Sequence, residues 1–168
     1  KISKLGYRGL ETVEMSYVDH RVPDANVLGG EDGLGNGRKY ALSALELGRI
    51  NVASRAVGVA QAAFDAAMAY AQERETFGQP IFKHQAIQFK LAEMATKLQA
   101  ARLMTYDAAA RADAGERVDM EAGMAKLFAS ETAYEIATDA LRIHGGNGYT
   151  TEYPVERYFR DTPLMIIG

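Results

Sequence analysis

Of the 28 alanines in this chain, all but Ala25 fall between positions 41 and 140. Alanine is the strongest helix former, because it gives up no side-chain freedom in a helix and buries no polar group. A block so rich in it favours helix throughout. Its near-absence elsewhere divides the chain into a non-helical front and a helical body. In the front, residues 11–18 read Glu-Thr-Val-Glu-Met-Ser-Tyr-Val. Val13, Met15 and Tyr17 alternate with charged or hydroxyl residues, the period of two expected of a half-buried strand. Pro23-Asp24 and the glycines between Gly29 and Gly37 then interrupt the chain.

The body predicts three long helices. The first runs from about 37 to 73 and would be ~55 Å long at 1.5 Å per residue. Gly48 and Gly58 inside it each cost up to ~1 kcal/mol relative to alanine, and Gly78-Gln79-Pro80 marks its end. The second runs from about 83 to 113. Its Ile87, Leu91, Met94, Leu98, Ala101, Thr105 and Ala108 are spaced 4-3-4-3-4-3, a heptad stripe, and Gly115 closes it. The third runs from about 119 to 144, with Ala125, Phe128, Thr132, Ile136, Ala140 and Ile143 on one face and Gly145-Gly146 as the stop. A short helix follows Pro154. The expected fold is mainly α: an up-and-down antiparallel helical bundle over residues 37–168, preceded by a few β-strands within 1–36. Three long helices do not cover all their own stripes, so a fourth partner is expected, either from a C-terminal helix missing from this sequence or from another subunit.

Charge and composition exclude several functions. Nineteen Lys and Arg against 22 Asp and Glu leave a formal net charge of −3, without the basic clustering that nucleic-acid binding requires. Without cysteine there is no disulfide, thiol nucleophile or cysteine-type zinc site. No run reaches the ~18 apolar residues of a membrane span, and Lys1-Ile2-Ser3-Lys4 leads into no signal region. A water-soluble protein that engages neither membrane nor nucleic acid is expected. His20, His84 and His144 sit on different segments without metal-ligand spacing, so no metal site is expected. Gly33-Leu34-Gly35-Asn36-Gly37 lacks a phosphate-loop lysine and reads as a flexible connection.

Two segments carry chemistry. Arg74-Glu75-Thr76-Phe77-Gly78-Gln79-Pro80 places a guanidinium beside a tight corner, followed by the amide-rich His84-Gln85 and Gln88. Arginine suits bidentate phosphate contact, although a surface arginine at a helical corner has the same appearance. Arg142-Ile143-His144-Gly145-Gly146-Asn147-Gly148-Tyr149 sets three glycines in four positions. That pattern lets a backbone approach a ligand closely, or simply ends a helix.

Taken together, Arg-Glu-Thr-Phe-Gly, the His-Gln that puts Gln85 eleven residues after Arg74, Ile-His-Gly-Gly-Asn-Gly-Tyr and Tyr-Phe-Arg-Asp resemble the acyl-CoA dehydrogenases over essentially the whole chain. By that resemblance residues 1–36 are the end of a middle β-domain with a linker, and 37–168 the C-terminal helical domain. The resemblance implies FAD as cofactor, acyl-CoA as substrate, an electron-transferring flavoprotein as partner and a homodimer or homotetramer. Arg74 would pair with the FAD pyrophosphate of a neighbouring subunit, with Phe77 and Gln85 beside the same cofactor. The backbone of Arg142, Ile143, His144, Gly145 and Gly146 would run along its adenosine-diphosphate portion. Glu46, Leu47, Gly48 and Arg49 resemble the family's substrate segment, with Glu46 in place of the usual Asp. Such a protein is expected in the cytoplasm of a bacterium or the mitochondrial matrix of a eukaryote.

The implied reaction is oxidation of an acyl-CoA thioester to the trans-2-enoyl-CoA. A carboxylate removes the α-proton while a hydride leaves the β-carbon for the flavin. The base needs a raised pKa in a desolvated pocket, and the thioester oxygen needs donors. In some relatives the base is a Glu directly before the arginine of the substrate segment, where this chain has Gly48. Glu46 does not replace it, because two residues along a helix turn a side chain by ~200°. In most relatives the Glu lies eight residues after the Asp of Arg-Asp, which from Asp161 is position 169. No catalytic residue is therefore expected within 1–168, and this polypeptide by itself is expected to be inactive. The closing run Pro163 to Gly168 has no polar terminus and reads as an interruption. An acyl-CoA oxidase with the same fold, or a non-enzymatic helical interaction module, are the alternatives.

Overall fold

The computed structural model describes residues 1–168. Helix α1 spans Gly37–Glu73, α2 Gln85–Asp113, α3 Asp119–His144 and α4 Val155–Ile167. A two-stranded antiparallel ladder, β1 (Glu75–Thr76) and β2 (Gln79–Pro80), forms the corner between α1 and α2. The helices run up, down, up and down. Glu46 near the start of α1 meets Val118 at the start of α3, whereas Lys90 early in α2 meets Asp139 late in α3.

Small side chains build the core. On α1 the buried positions are Ala53, Ala56, Ala60, Ala63, Ala67 and Ala71, and α3 answers with Ala122, Ala125, Ala129, Ala133, Ala137 and Ala140. Methyl groups on both sides let these two helices pack along most of their length, as the largest contact in the bundle. On α2 the heptad stripe is the buried face, from Leu91 through Ala108. Thr105 can sit in it because its hydroxyl donates to the Ala101 carbonyl at 2.8 Å.

Helix α4, the short helix expected after Pro154, packs on α3 and α1 and so provides a fourth member from within these residues, instead of the expected missing helix or other subunit. Pro163 lies inside it and cannot donate to Phe159 O, but the Thr162 hydroxyl does so at 3.1 Å. The same helix holds the front of the chain: Asp161 Oδ1 accepts the Tyr7 N–H at 2.7 Å, and Arg160 donates to Leu5 O at 3.3 Å.

Two expectations need correction. No strand forms over 11–18; its apolar side chains are exposed and its backbone is joined only by Ile2 N–H to Thr12 O, 2.8 Å. A strand needs a partner ladder, and the only ladder lies after α1, not before it. On α3, Phe128 is 36 % exposed and Ala129 takes the core position. The close α1–α3 contact has room for a methyl group where a phenyl ring would not fit.

Candidate functional site

The corner after α1 is tightly built. Arg74 leaves helical space (φ −75°, ψ 126°) while its N–H still reaches Tyr70 O. Glu75 pairs with Pro80 and Thr76 with Gln79, leaving Phe77 and Gly78 as a two-residue loop. Both have positive φ, +52° and +76°, which defines the type I′ turn that suits the twist of a hairpin. Phe77 is 97 % exposed at its tip.

Facing this corner is the end of α3. Gly145 stops the helix at φ 60°, ψ −135°, a conformation that side chains resist. A Cβ on Gly148 would lie 2.4 Å from Leu141 O, whereas one on Gly146 would meet nothing within 4 Å. His144 is buried and donates from Nδ1 to Ala140 O at 2.8 Å. Its ring stacks on Tyr70 with centroids 4.2 Å apart and stands edge-on to Tyr153 at 5.4 Å. Burial pushes the imidazole below its ordinary pKa, opposed by the bond to Ala140. Asn147 completes the cluster by donating to the Tyr70 hydroxyl at 3.0 Å.

Between the two walls lies a cleft of about 370 Å³ lined by Tyr70, Arg74, Thr76, Ile81 and residues 143–147. It brings together Arg74 with Ile143, His144, Gly145 and Gly146. Arg74 is its only cation and no carboxylate lines it. Because α1 and α3 both end here, their C-terminal dipoles disfavour an anion. The guanidinium must therefore supply the attraction for any phosphate. With backbone unshielded at Gly145 and Gly146, the residues fit the diphosphate end of a nucleotide cofactor. Phe77, Gln85 and Arg142 do not line the cleft. Gln85 is exposed at the start of α2, and Arg142 lies 3.6 Å from Asp139, which also binds Lys90. Sequence reasoning missed Tyr70 and Asn147, whose roles arise from stacking and bonding across more than 70 residues.

A second cleft, about 780 Å³, lies at the other end of α1. Leu45, Glu46 and Arg49 line it with Arg38, Lys39 and Arg117; Leu47 and Gly48 do not. Glu46 Oε1 accepts the Val118 N–H at 2.9 Å, satisfying a donor at the start of α3 that no local side chain caps. Asp119 in the same cleft pairs with Arg117.

Residues 35–168 match the family model for the acyl-CoA dehydrogenase C-terminal domain. A probable acyl-CoA dehydrogenase of Bacillus subtilis is 52 % identical over 165 residues, 98 % of this chain and 43 % of the relative. A 3-(aryl)acrylate reductase of Clostridium sporogenes is 48 % identical over 98 % of this chain and 43 % of its own length. The crystal structure of an acyl-CoA dehydrogenase from Geobacillus kaustophilus superposes with a TM-score of 0.93 at 35 % identity, covering 99 % of this chain and 43 % of that one. The chain thus spans about two fifths of the length of the relatives it matches.

Proposed function

The chain belongs to the acyl-CoA dehydrogenase family, and from that premise we propose that it forms the C-terminal helical part of a flavin-dependent enzyme that oxidises an acyl-CoA thioester to the trans-2-enoyl-CoA. The observation that supports this most is the single cleft joining Arg74 to the Gly145–Gly146 backbone. In this reading Arg74 holds the cofactor's pyrophosphate, and the two glycines admit its adenosine end against bare backbone. FAD would supply the hydride acceptor. Tyr70, His144 and Asn147, tied to one another in the wall of the cleft with Tyr153 behind His144, would hold that backbone in place. Phe77 and Gln85, outside the cleft, would reach the cofactor from its open side.

Arg49 would meet substrate at the other end of α1. Residues 49 and 74 are 25 apart, or ~37 Å along a helix. One chain would thus serve two reaction centres, as in a homodimer or homotetramer with shared sites. Residues 1–36 would belong to a β-domain. Glu46 is engaged with Val118 and Asp119 with Arg117, so we assign no general base within these residues and expect the 168-residue chain alone to be inactive. Electrons would pass to an electron-transferring flavoprotein, in a bacterial cytoplasm or a mitochondrial matrix.

The acrylate reductase among the relatives favours a second reading, the same carbon–carbon bond reduced instead of oxidised. The test is to mix the full-length flavoprotein with a panel of saturated acyl-CoAs and, separately, with enoyl substrates plus reductant. Bleaching of the oxidised flavin band by acyl-CoA supports the dehydrogenase. Reoxidation of reduced flavin by the enoyl compounds alone supports the reductase.

A further inference from the structure

Helix α2 begins on a residue that does nothing for its cap. His84 occupies the N-cap position with extended backbone (φ −79°, ψ 127°), yet its side chain bonds none of the free N–H groups of the first turn. Ser, Thr, Asn or Asp at that position would cap the turn. The ring is turned toward the hairpin instead. Its Nε2 lies 3.0 Å from Thr76 Oγ1 and its Nδ1 3.3 Å from Gln79 Nε2. An amide nitrogen only donates, so Nδ1 accepts and Nε2–H donates to the threonine hydroxyl.

Thr76 and Gln79 face each other across the ladder. The ring therefore bridges both strands at the step next to the turn. Phe77 stands edge-on to the same ring, centroids 6.1 Å apart and planes at 88°. This is where the corner needs support. A phenylalanine in the left-handed region is sterically disfavoured (φ +52°), and a ladder of two residue pairs is too short to impose it. Such a conformation persists only where its surroundings over-determine it. Phe77 itself is almost fully exposed, so its own side chain buries nothing to hold it there. His84 is the neighbour that touches both strands and the ring.

We propose that His84 is the positioning residue of this corner: by bridging Thr76 and Gln79 it fixes the strained turn, presents Phe77 outward and holds Arg74 at the edge of the cleft for the nucleotide cofactor. The inference rests on the cofactor reading above. Arg74 directly precedes β1, and its carbonyl accepts the Ile81 N–H at 2.8 Å across the base of the hairpin. Loosening the bridge lets the turn relax to negative φ, and the strand that aims Arg74 loses its register.

The test uses the full-length protein with 4-fluorophenylalanine at position 77, read by fluorine NMR without flavin, and separately titrated with FAD. Wild type should give one narrow resonance. His84→Leu keeps bulk and removes both ring nitrogens; it should broaden or split the signal and weaken FAD binding about tenfold, the combined effect of two neutral hydrogen bonds. His84→Gln, which returns a donor near the Nε2 position, should recover most of both. Thr76→Val should produce part of the loss and add little on top of His84→Leu, and it serves if the leucine variant does not fold. An unchanged fluorine signal in His84→Leu overturns the proposal. So does a broadened signal with unaltered FAD affinity. If wild type binds no FAD while the signal still responds, the cofactor reading fails and the bridge to Phe77 stands.

Discussion

At the scale of single residues, the glycines of the α3 end divide by physical cause, and each cause makes its own forecast. Gly148 is required by packing, because a Cβ there would meet Leu141 O at 2.4 Å. Gly148→Ala should lower stability by about 1–3 kcal/mol, the range for overpacking. Gly146 has open space around it, so Gly146→Ala should leave the thermal midpoint within a degree or two while weakening FAD binding. Thermal melts and flavin titration of the two variants separate the roles; equal destabilisation by both would contradict them. His144 makes a pH forecast. Burial holds its folded pKa below the ordinary value, so the unfolded chain takes up a proton first, near pH ~6.5. The associated stability is complete above that pH and is lost as the pH falls through the lowered folded value. The urea midpoint of wild type should drop from pH 7 to 5 more steeply than that of His144→Phe, which keeps a ring against Tyr70 but does not titrate. Parallel slopes would argue against the assignment.

Elements were legible where their signals were local. Helices α1 and α3 keep the boundaries expected from the glycine stops and the alanine block, and the α2 stripe is its buried face. Helix α2 starts at Gln85 instead of 83, because Ile81–Lys83 takes a 3₁₀ turn to bring His84 back to the hairpin. What was not legible depends on partners distant in sequence. The alternation of 11–18 says which side chains could face a core, but not whether another strand lies alongside. Of the α3 stripe only Phe128 lies outside the core, its other five residues being buried; what the stripe leaves out is Ala129 and its neighbours, because α3 touches α1, α2 and α4 and buries a wider arc than one stripe. In the candidate site, Arg74 and the glycines stood out because a charged corner and a glycine run are local signals, whereas the tie from Glu46 to Val118 spans 72 positions. The alanine core gives an element-scale forecast. Ala60 is fully buried in it, so Ala60→Leu should cost about 1–3 kcal/mol. Gly58, with nothing near a built Cβ, should gain about 0.5–1 kcal/mol as alanine. Opposite signs in chemical denaturation are the expected result.

Across the whole molecule, four helices still leave apolar surface uncovered. On α3, Met120, Met124 and Leu127 are exposed at helical spacing, with Leu127 at 63 %. We expect this face to join copies of the protein. Met124→Glu with Leu127→Lys should reduce the mass seen by light scattering, and an unchanged mass would place the interface elsewhere. On the proposed function association would matter, because the two clefts occupy opposite ends of α1 and each would supply part of a different reaction centre. On the proposed function, the cleft at the α1–α3 end holds the pyrophosphate of FAD through its one cation. The direct measurement is calorimetric titration of flavin-depleted full-length protein with FAD, comparing wild type with Arg74→Met. Loss of a charge-assisted phosphate contact, with two helix C-termini left facing the anion, should weaken binding by at least ~1.5–3 kcal/mol, or tenfold and more. Equal affinity in the two proteins would contradict the account.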